Sequence, residues 1–254
     1  MTQTGIAHPT IAASVRGITK TYGTGDTQAI ALDGIDLDIH RGTLTAIMGP
    51  SGSGKSTLMH VFAGLDSATT GRVMIGDTDI TDLDDDALTL LRRRKLGFVF
   101  QAFNLVPTLS VLGNVELPFE LDGRKPGAGE RAWINELLGR LGLSGLENRR
   151  PHELSGGQQQ RVAIARALAS KPTLIFADEP TGNLDSKSSR DVLSLLGVLT
   201  REYDQTVVLV THDPVAASYA DRVLFIADGA IVHDVGRSDP KALSDIILML
   251  EVAA

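Results

Sequence analysis

The residues with the clearest chemistry are Gly49-Pro50-Ser51-Gly52-Ser53-Gly54-Lys55-Ser56, which match the phosphate-loop pattern G-x-x-x-x-G-K-[ST] at every fixed position. Glycines let backbone N-H groups close around phosphate oxygens, and the N-terminus of a following helix adds partial positive charge. Lys55 would reach the outer phosphates; Ser56 would give its hydroxyl to Mg²⁺, with Thr57 next to it. A phosphate loop also needs a carboxylate, and Leu174-Ile175-Phe176-Ala177-Asp178-Glu179 offers an apolar strand ending in two acids. In an open parallel sheet, ligands gather at the carboxyl ends of strands. Asp178 would hold the metal, directly or through water, and Glu179 would polarise the water that attacks the terminal phosphate.

These residues need a frame. Thr43 to Met48 is an apolar run that ends at Gly49, and Lys55 to Ala63 has helical character, so the loop lies between strand and helix as its chemistry requires. Ile35 to His40 alternates apolar and polar residues, the pattern of a half-buried antiparallel strand. Residues 97–101 form a buried strand ending on Gln101; Thr173 to Ala177, Thr206 to Val210 and Arg222 to Ile226 are further strands at helical intervals. Strands alternating with helices imply a parallel sheet covered on both faces. Between Ala102 and Leu154 four prolines and new helical stretches mark an inserted helical subdomain, in which Trp133 is a packing residue. From Asp77 to Asp86 six of ten residues are aspartate, and Arg92-Arg93-Arg94-Lys95 follows. Acids at the start and bases at the end of one solvated helix complement its dipole. A calcium loop is excluded, because Asp82 stands where such a loop needs glycine and Leu88 where it needs glutamate. The residues before Ile18 are expected to begin as a loose tail.

With 254 residues, 43% of them apolar, the chain can bury a large core. The net charge of -7 lacks the basic excess of a chain that wraps nucleic acid. The absence of cysteine excludes disulfides, a thiolate nucleophile and Cys-ligated metal. Apolar runs such as Val207 to Val210 and Val223 to Ala227 fall far short of the roughly 18 to 20 residues of a spanning helix. No targeting segment is recognisable at the start, so the expected location is the cytoplasm.

Leu154-Ser155-Gly156-Gly157-Gln158 opens a further helix, and Gln158 lies 20 residues before Asp178. With this LSGGQ signature, a phosphate loop and Asp-Glu-Pro in that order, the sequence resembles the ATPase subunits of ABC transporters from about Val15 to Val235. The resemblance implies a P-loop α/β fold with a mostly parallel core sheet, an N-terminal antiparallel β subdomain and an inserted helical subdomain. One cassette would fill 1–254: residues 15–101 and 155–235 as the nucleotide-binding core, 102–154 as the helical subdomain, and 236–254 as a C-terminal helical tail.

Further roles follow from the resemblance, position by position. Tyr22 matches the aromatic that stacks on adenine. Gln101 matches the glutamine that touches the metal or attacking water. Asp185, in Gly-Asn-Leu-Asp, matches the aspartate at the dimer contact, with Asn183 as a variation where the family often has alanine. His212 matches the switch histidine at the terminal phosphate. Ser155, Gly156, Gly157 and Gln158 would complete the ATP site of a second copy, so the expected assembly is a head-to-tail homodimer around two ATP-Mg²⁺. His8, His40, His60, His152 and His233 are left as structural or surface residues.

With no span in this sequence, a transporting cassette would need a separate membrane permease, or a permease fused elsewhere, and would work at the inner membrane face. Phe103 to Val111 and Asn114 to Pro118 resemble the lipoprotein-release and macrolide-export branch. An importer ATPase is the alternative within the family. A soluble ATPase acting on DNA or ribosomes would instead carry a long heptad insertion or a second cassette, and neither is present.

Overall fold

The computed structural model describes residues 10–253. Along the chain β1 (Ile11–Tyr22) pairs antiparallel with β2 (Ala29–His40). β3 (Leu44–Met48) then enters the phosphate loop and α1 (Lys55–Phe62). β4 (Thr70–Ile75) and the short β5 (Thr78–Asp79) return to the first sheet, whose order is β2-β1-β4-β5. α2 (Asp85–Lys95) leads to β6 (Leu96–Phe100), followed by α3 (Val111–Leu121), α4 (Ala128–Arg140) and α5 (Gly156–Leu168). Next come β7 (Leu174–Asp178), α6 (Ser186–Tyr203), β8 (Val207–Val210) and the one-turn α7 (Pro214–Ala217). The hairpin β9 (Arg222–Ala227) and β10 (Ala230–Gly236) precedes α8 (Pro240–Ala253).

The second sheet has the order β10-β9-β3-β8-β7-β6, parallel except for β10. Its central strands read as near-continuous apolar runs because both faces are covered. The residues divide by alternation. Leu44, Ala46, Ile175, Ala177, Val207 and Leu209 pack into a core shared with the helices. Ile47, Phe176, Val208 and Val210 pack into a second core with α1 and the antiparallel sheet. The first core also takes Val115 and Phe119 from α3 and Leu137 from α4, and the Trp133 indole N-H donates to the Leu168 carbonyl at 3.0 Å. Trp133 is thus a packing residue with its one polar atom satisfied.

Two expectations change. Strand β1 already begins at Ile11, ahead of Ile18, with Ala12, Ala13 and Val15 fully buried. Alanines give little apolar contrast, which hides the strand pattern; residues 1–9, including His8, lie outside the described residues. The aspartate run also divides. Asp84 caps α2 by accepting from the Ala87 N-H at 2.8 Å, Asp85 and Asp86 occupy its first turn, and Arg92 to Lys95 its last, as dipole compensation requires. Asp79 belongs instead to the β4–β5 hairpin region, where it accepts from the Thr81 N-H and hydroxyl.

Candidate functional site

The phosphate loop leaves β3 at its carboxyl end and closes on α1. Gly49 has φ +152°, and a Cβ there would collide with the Ile226 carbonyl; Gly54, at φ +105°, lies against the Ala31 carbonyl in the same way. Both glycines are therefore steric requirements of the loop. The β9–β10 turn braces it from behind, with the Gly229 N-H donating to the Ser53 carbonyl at 3.1 Å. Lys55 folds back, its ammonium donating to the carbonyls of Gly49 at 2.8 Å and Pro50 at 2.6 Å. Burial lowers the Lys55 pKa, and the charges of Glu179 and Asp178 oppose that shift. The Ser53 hydroxyl is buried with no hydrogen-bond partner. An orphaned hydroxyl and a cation held only by carbonyls fit a loop that receives an anion.

Facing this loop, Asp178 ends β7. Burial raises its carboxyl pKa, the Glu179 charge adds to the shift, and His60 and Lys55 counter it. A carboxylate short of positive charge fits a cation ligand. Among the described residues no cluster of three His, Cys, Asp or Glu could hold a metal alone, so a cation here would also need phosphate oxygens and Ser56.

Glu179 has the left-handed φ of +45°, unusual for a residue with a side chain. Neighbouring groups account for it. The Glu179 N-H donates to the Val210 carbonyl at 2.9 Å. Its Oε1 accepts the His212 N-H at 3.0 Å and lies 2.7 Å from His212 Nδ1, while Oε2 accepts the Thr211 hydroxyl at 3.2 Å. This contact occupies Nδ1 of the ring and leaves Nε2 for another partner.

Gln101 lies in the same cleft as Glu179, Gly182 and His212. Its amide, however, rests on a partner that the sequence did not indicate. Gln101 Nε2 donates to Asn183 Oδ1 at 3.2 Å, and Asn183 Nδ2 donates to the Gln101 carbonyl at 3.0 Å. The missing Cβ of Gly182 makes room, since that atom would lie 2.6 Å from Gln101 Nε2.

The signature opens α5. Ser155 Oγ accepts the Gln158 N-H at 3.3 Å, and Gln158 Oε1 accepts the Ser155 N-H at 2.8 Å, a reciprocal cap on α5. Gly156 lies against Leu184 and Phe103, and Gly157 against Ser188 at the start of α6. Asp185 caps α6, accepting from the Lys187 and Ser188 N-H groups and from the Ser188 hydroxyl. Those Ser188 hydrogen bonds lower its pKa. Tyr22 is half-exposed beside Asp66 and near Thr57.

Two residues that sequence reasoning missed, Thr211 and Gln160, and one whose role it missed, Asn183, hold this constellation. Thr211 steadies Glu179. Asn183 engages Gln101. Gln160, fully buried in α5, donates through Nε2 to the Pro180 carbonyl and, at 3.3 Å, to the Phe100 carbonyl. Thr211 directly precedes His212, Gln160 follows the signature by two residues, and Asn183 stands where the family often has alanine; those were the signals available.

A phosphate loop at the carboxyl end of a central parallel strand, opposite a strand-end Asp-Glu pair, defines a P-loop nucleotide-binding ATPase. A family model described as ABC transporter matches residues 32–182, and the chain belongs to that family. It is similar to the uncharacterized ABC transporter ATP-binding protein MJ0796 of Methanocaldococcus jannaschii, 48% identical over 223 residues, which cover 87% of this chain and 95% of that one. It is also similar to the macrolide export ATP-binding/permease protein MacB of Marinobacter nauticus, 49% identical over 228 residues. That match covers 90% of this chain but 35% of MacB, so the chain spans about a third of that relative's length. A solved dimeric, post-hydrolysis state of the MJ0796 cassette bound to ADP and Pi matches with a TM-score of 0.78 and 44% identity, covering 89% of this chain and 99% of that one. The chain is an ABC ATPase: it binds and hydrolyses ATP.

Proposed function

We propose that this chain is the ATP-driven motor of an export or mechanotransmission complex, acting as an ATP-bridged homodimer under a membrane permease. The observation that carries the catalytic reading is Glu179, with both carboxylate oxygens held by Thr211 and His212 and with Lys55 and Asp178 close by. Glu179 takes a proton from the attacking water, and Thr211 and His212 fix its direction. His212 Nε2 contacts the terminal phosphate. The loop from Gly49 through Thr57 (Gly49, Pro50, Ser51, Gly52, Ser53, Gly54, Lys55, Ser56, Thr57) holds the phosphates and Tyr22 the base. Ser56 and Asp178 would hold magnesium, with Gln101 as a further contact, and the ion would supply positive charge at the phosphate oxygens.

Ser155, Gly156, Gly157 and Gln158 lie at the start of a 13-residue helix, whose N-terminal N-H groups favour an anion, and this supports their use by a second copy's ATP. Asp185 lies near that contact. ATP then joins the two copies, and loss of the terminal phosphate favours their separation. We divide the cassette into 15–101 with 155–235, 102–154, and 236–254.

No helix among the described residues is long and apolar enough to cross a membrane, so the work must pass to another polypeptide or another part of a longer one. An apolar groove lined by Leu96, Phe98, Phe100, Leu117 and Leu121, with Arg166 at its wall, would receive the permease. It adjoins Gln101 through Phe100, and the similarity to MacB favours export at the inner membrane face. Affinity purification from detergent-solubilised membranes tests this reading. Recovery of a membrane protein that stimulates ATP hydrolysis is expected; recovery with ribosomes or DNA and no membrane protein would overturn it.

A further inference from the structure

Tyr22 is the last residue of β1 and is 44% exposed. A ring so placed would ordinarily sample several rotamers. Here its hydroxyl donates to Asp66 Oδ2 at 2.7 Å. Asp66 is itself anchored, because the N-H groups of Leu65 and Asp66 both donate to the His60 carbonyl in α1. Its other oxygen, Oδ1, accepts the Lys20 ammonium at 2.7 Å and the Ser67 N-H at 2.8 Å. Lys20 is only 8% exposed, donates also to the Ser67 carbonyl at 2.7 Å, and places its Nζ 4.9 Å from the Tyr22 ring centroid. Every polar atom of the Asp66 carboxylate is therefore engaged, and the ammonium covers one face of the ring.

We propose that Asp66 is a positioning residue for nucleotide binding: braced by Lys20, it holds the Tyr22 ring so that the face away from the ammonium receives the adenine base. This rests on the reading of Tyr22 as the base platform and adds the group that orders it. The physical gain is preorganisation. A tyrosine already ordered does not have to be immobilised when the base arrives, and that ordering is worth roughly 3- to 10-fold in affinity. The same contact links the end of β1 to α1, whose N-terminus carries the phosphate loop, so base and phosphate subsites keep a fixed spacing. Stacking tolerates any base, so the effect separates nucleotides from inorganic tripolyphosphate and not one purine from another.

Dissociation constants for ATP and for inorganic tripolyphosphate, measured on the full chain, test the proposal in Tyr22→Phe, Asp66→Ala, the double variant and Tyr22→Ala. Tyr22→Phe keeps the ring and loses only the hydroxyl, so it carries the test if Asp66→Ala, which strands the Lys20 charge, fails to fold. Tyr22→Phe and Asp66→Ala should each weaken ATP binding about 3- to 10-fold and change tripolyphosphate binding less than about twofold. Asp66→Ala should add no further loss in the Tyr22→Phe background. If Tyr22→Ala loses ATP affinity selectively but Tyr22→Phe binds ATP like the parent, the platform stands and the positioning role of Asp66 falls. If Tyr22→Ala weakens ATP and tripolyphosphate equally, the platform reading falls and this inference with it.

Discussion

Replacing Gln160 by leucine separates the support of the catalytic residues from nucleotide binding. Leucine nearly preserves volume but removes the amide, which is fully buried and donates to the carbonyls of Phe100 and Pro180. The two losses are unequal. The Phe100 carbonyl keeps a second donor, the Phe103 N-H at 3.2 Å, so its lost bond costs about 1 kcal/mol. Pro180 loses the amide that satisfies its carbonyl, a cost of about 1–3 kcal/mol. Against these, Gln160 Oε1 is buried without a partner in the parent, and removing it recovers part of that sum. The net destabilisation is roughly 1–2 kcal/mol, a fall in Tm of about 2–8 °C for a chain of this size.

The functional effect should be larger than the thermal one. Pro180 follows Glu179, which is held at φ +45°, and Phe100 precedes Gln101. Loosening both backbones should lower kcat about tenfold while ATP affinity stays within about twofold, because the phosphate loop is untouched. Thermal unfolding, nucleotide titration and steady-state phosphate release give the three numbers. A variant with parental kcat, or one whose ATP affinity falls as far as its kcat, refutes the idea that Gln160 steadies the catalytic residues.

Glu179→Gln should bind ATP yet hydrolyse it about 10²–10³-fold more slowly, the loss expected of a missing general base; rapid phosphate release would remove Glu179 from that role. Asp178→Asn should abolish magnesium-dependent hydrolysis and stabilise the nucleotide-free protein at neutral pH. The folded pKa of Asp178 lies above its unfolded value, so its charged form costs stability as pH rises through the folded pKa and the cost disappears below the ordinary carboxyl range. A Tm measured across pH that is lower for the variant at pH 8 would contradict this. Asn183→Ala frees Gln101 from two exposed hydrogen bonds and should raise basal ATP turnover by about 2- to 5-fold, the equivalent of one modest hydrogen bond. Unchanged or slower turnover would show that the pairing does not restrain Gln101.

The parts of the site legible in the sequence are those made by contiguous residues. The loop from Gly49 to Ser56 is a strand-turn-helix unit whose shape depends on local backbone freedom, and the structure places it where that pattern requires. The Asp178-Glu179 pair was visible because an apolar run stops there. Ser155 was readable as part of a signature that opens a helix, and its reciprocal bonds with Gln158 cap that helix. The strand at Ile11 was obscured by small residues, and the aspartate run contained a hairpin as well as a helix start.

By its own order of residues the chain determined the phosphate loop, the strand-end carboxylates, the signature and the apolar periodicities, because each depends on neighbours a few positions away. Only the tertiary structure decided that β3 lies between β8 and β9, and that Glu179 is held by residues 32 and 33 positions further along. It alone placed Gln101 on Asn183, 82 positions away, and Tyr22 on Asp66, 44 away. Such pairings follow from how sheets and helices stack when two cores fill together. A local pattern names the groups that can do chemistry, while their directions come from packing between segments that are distant in the chain.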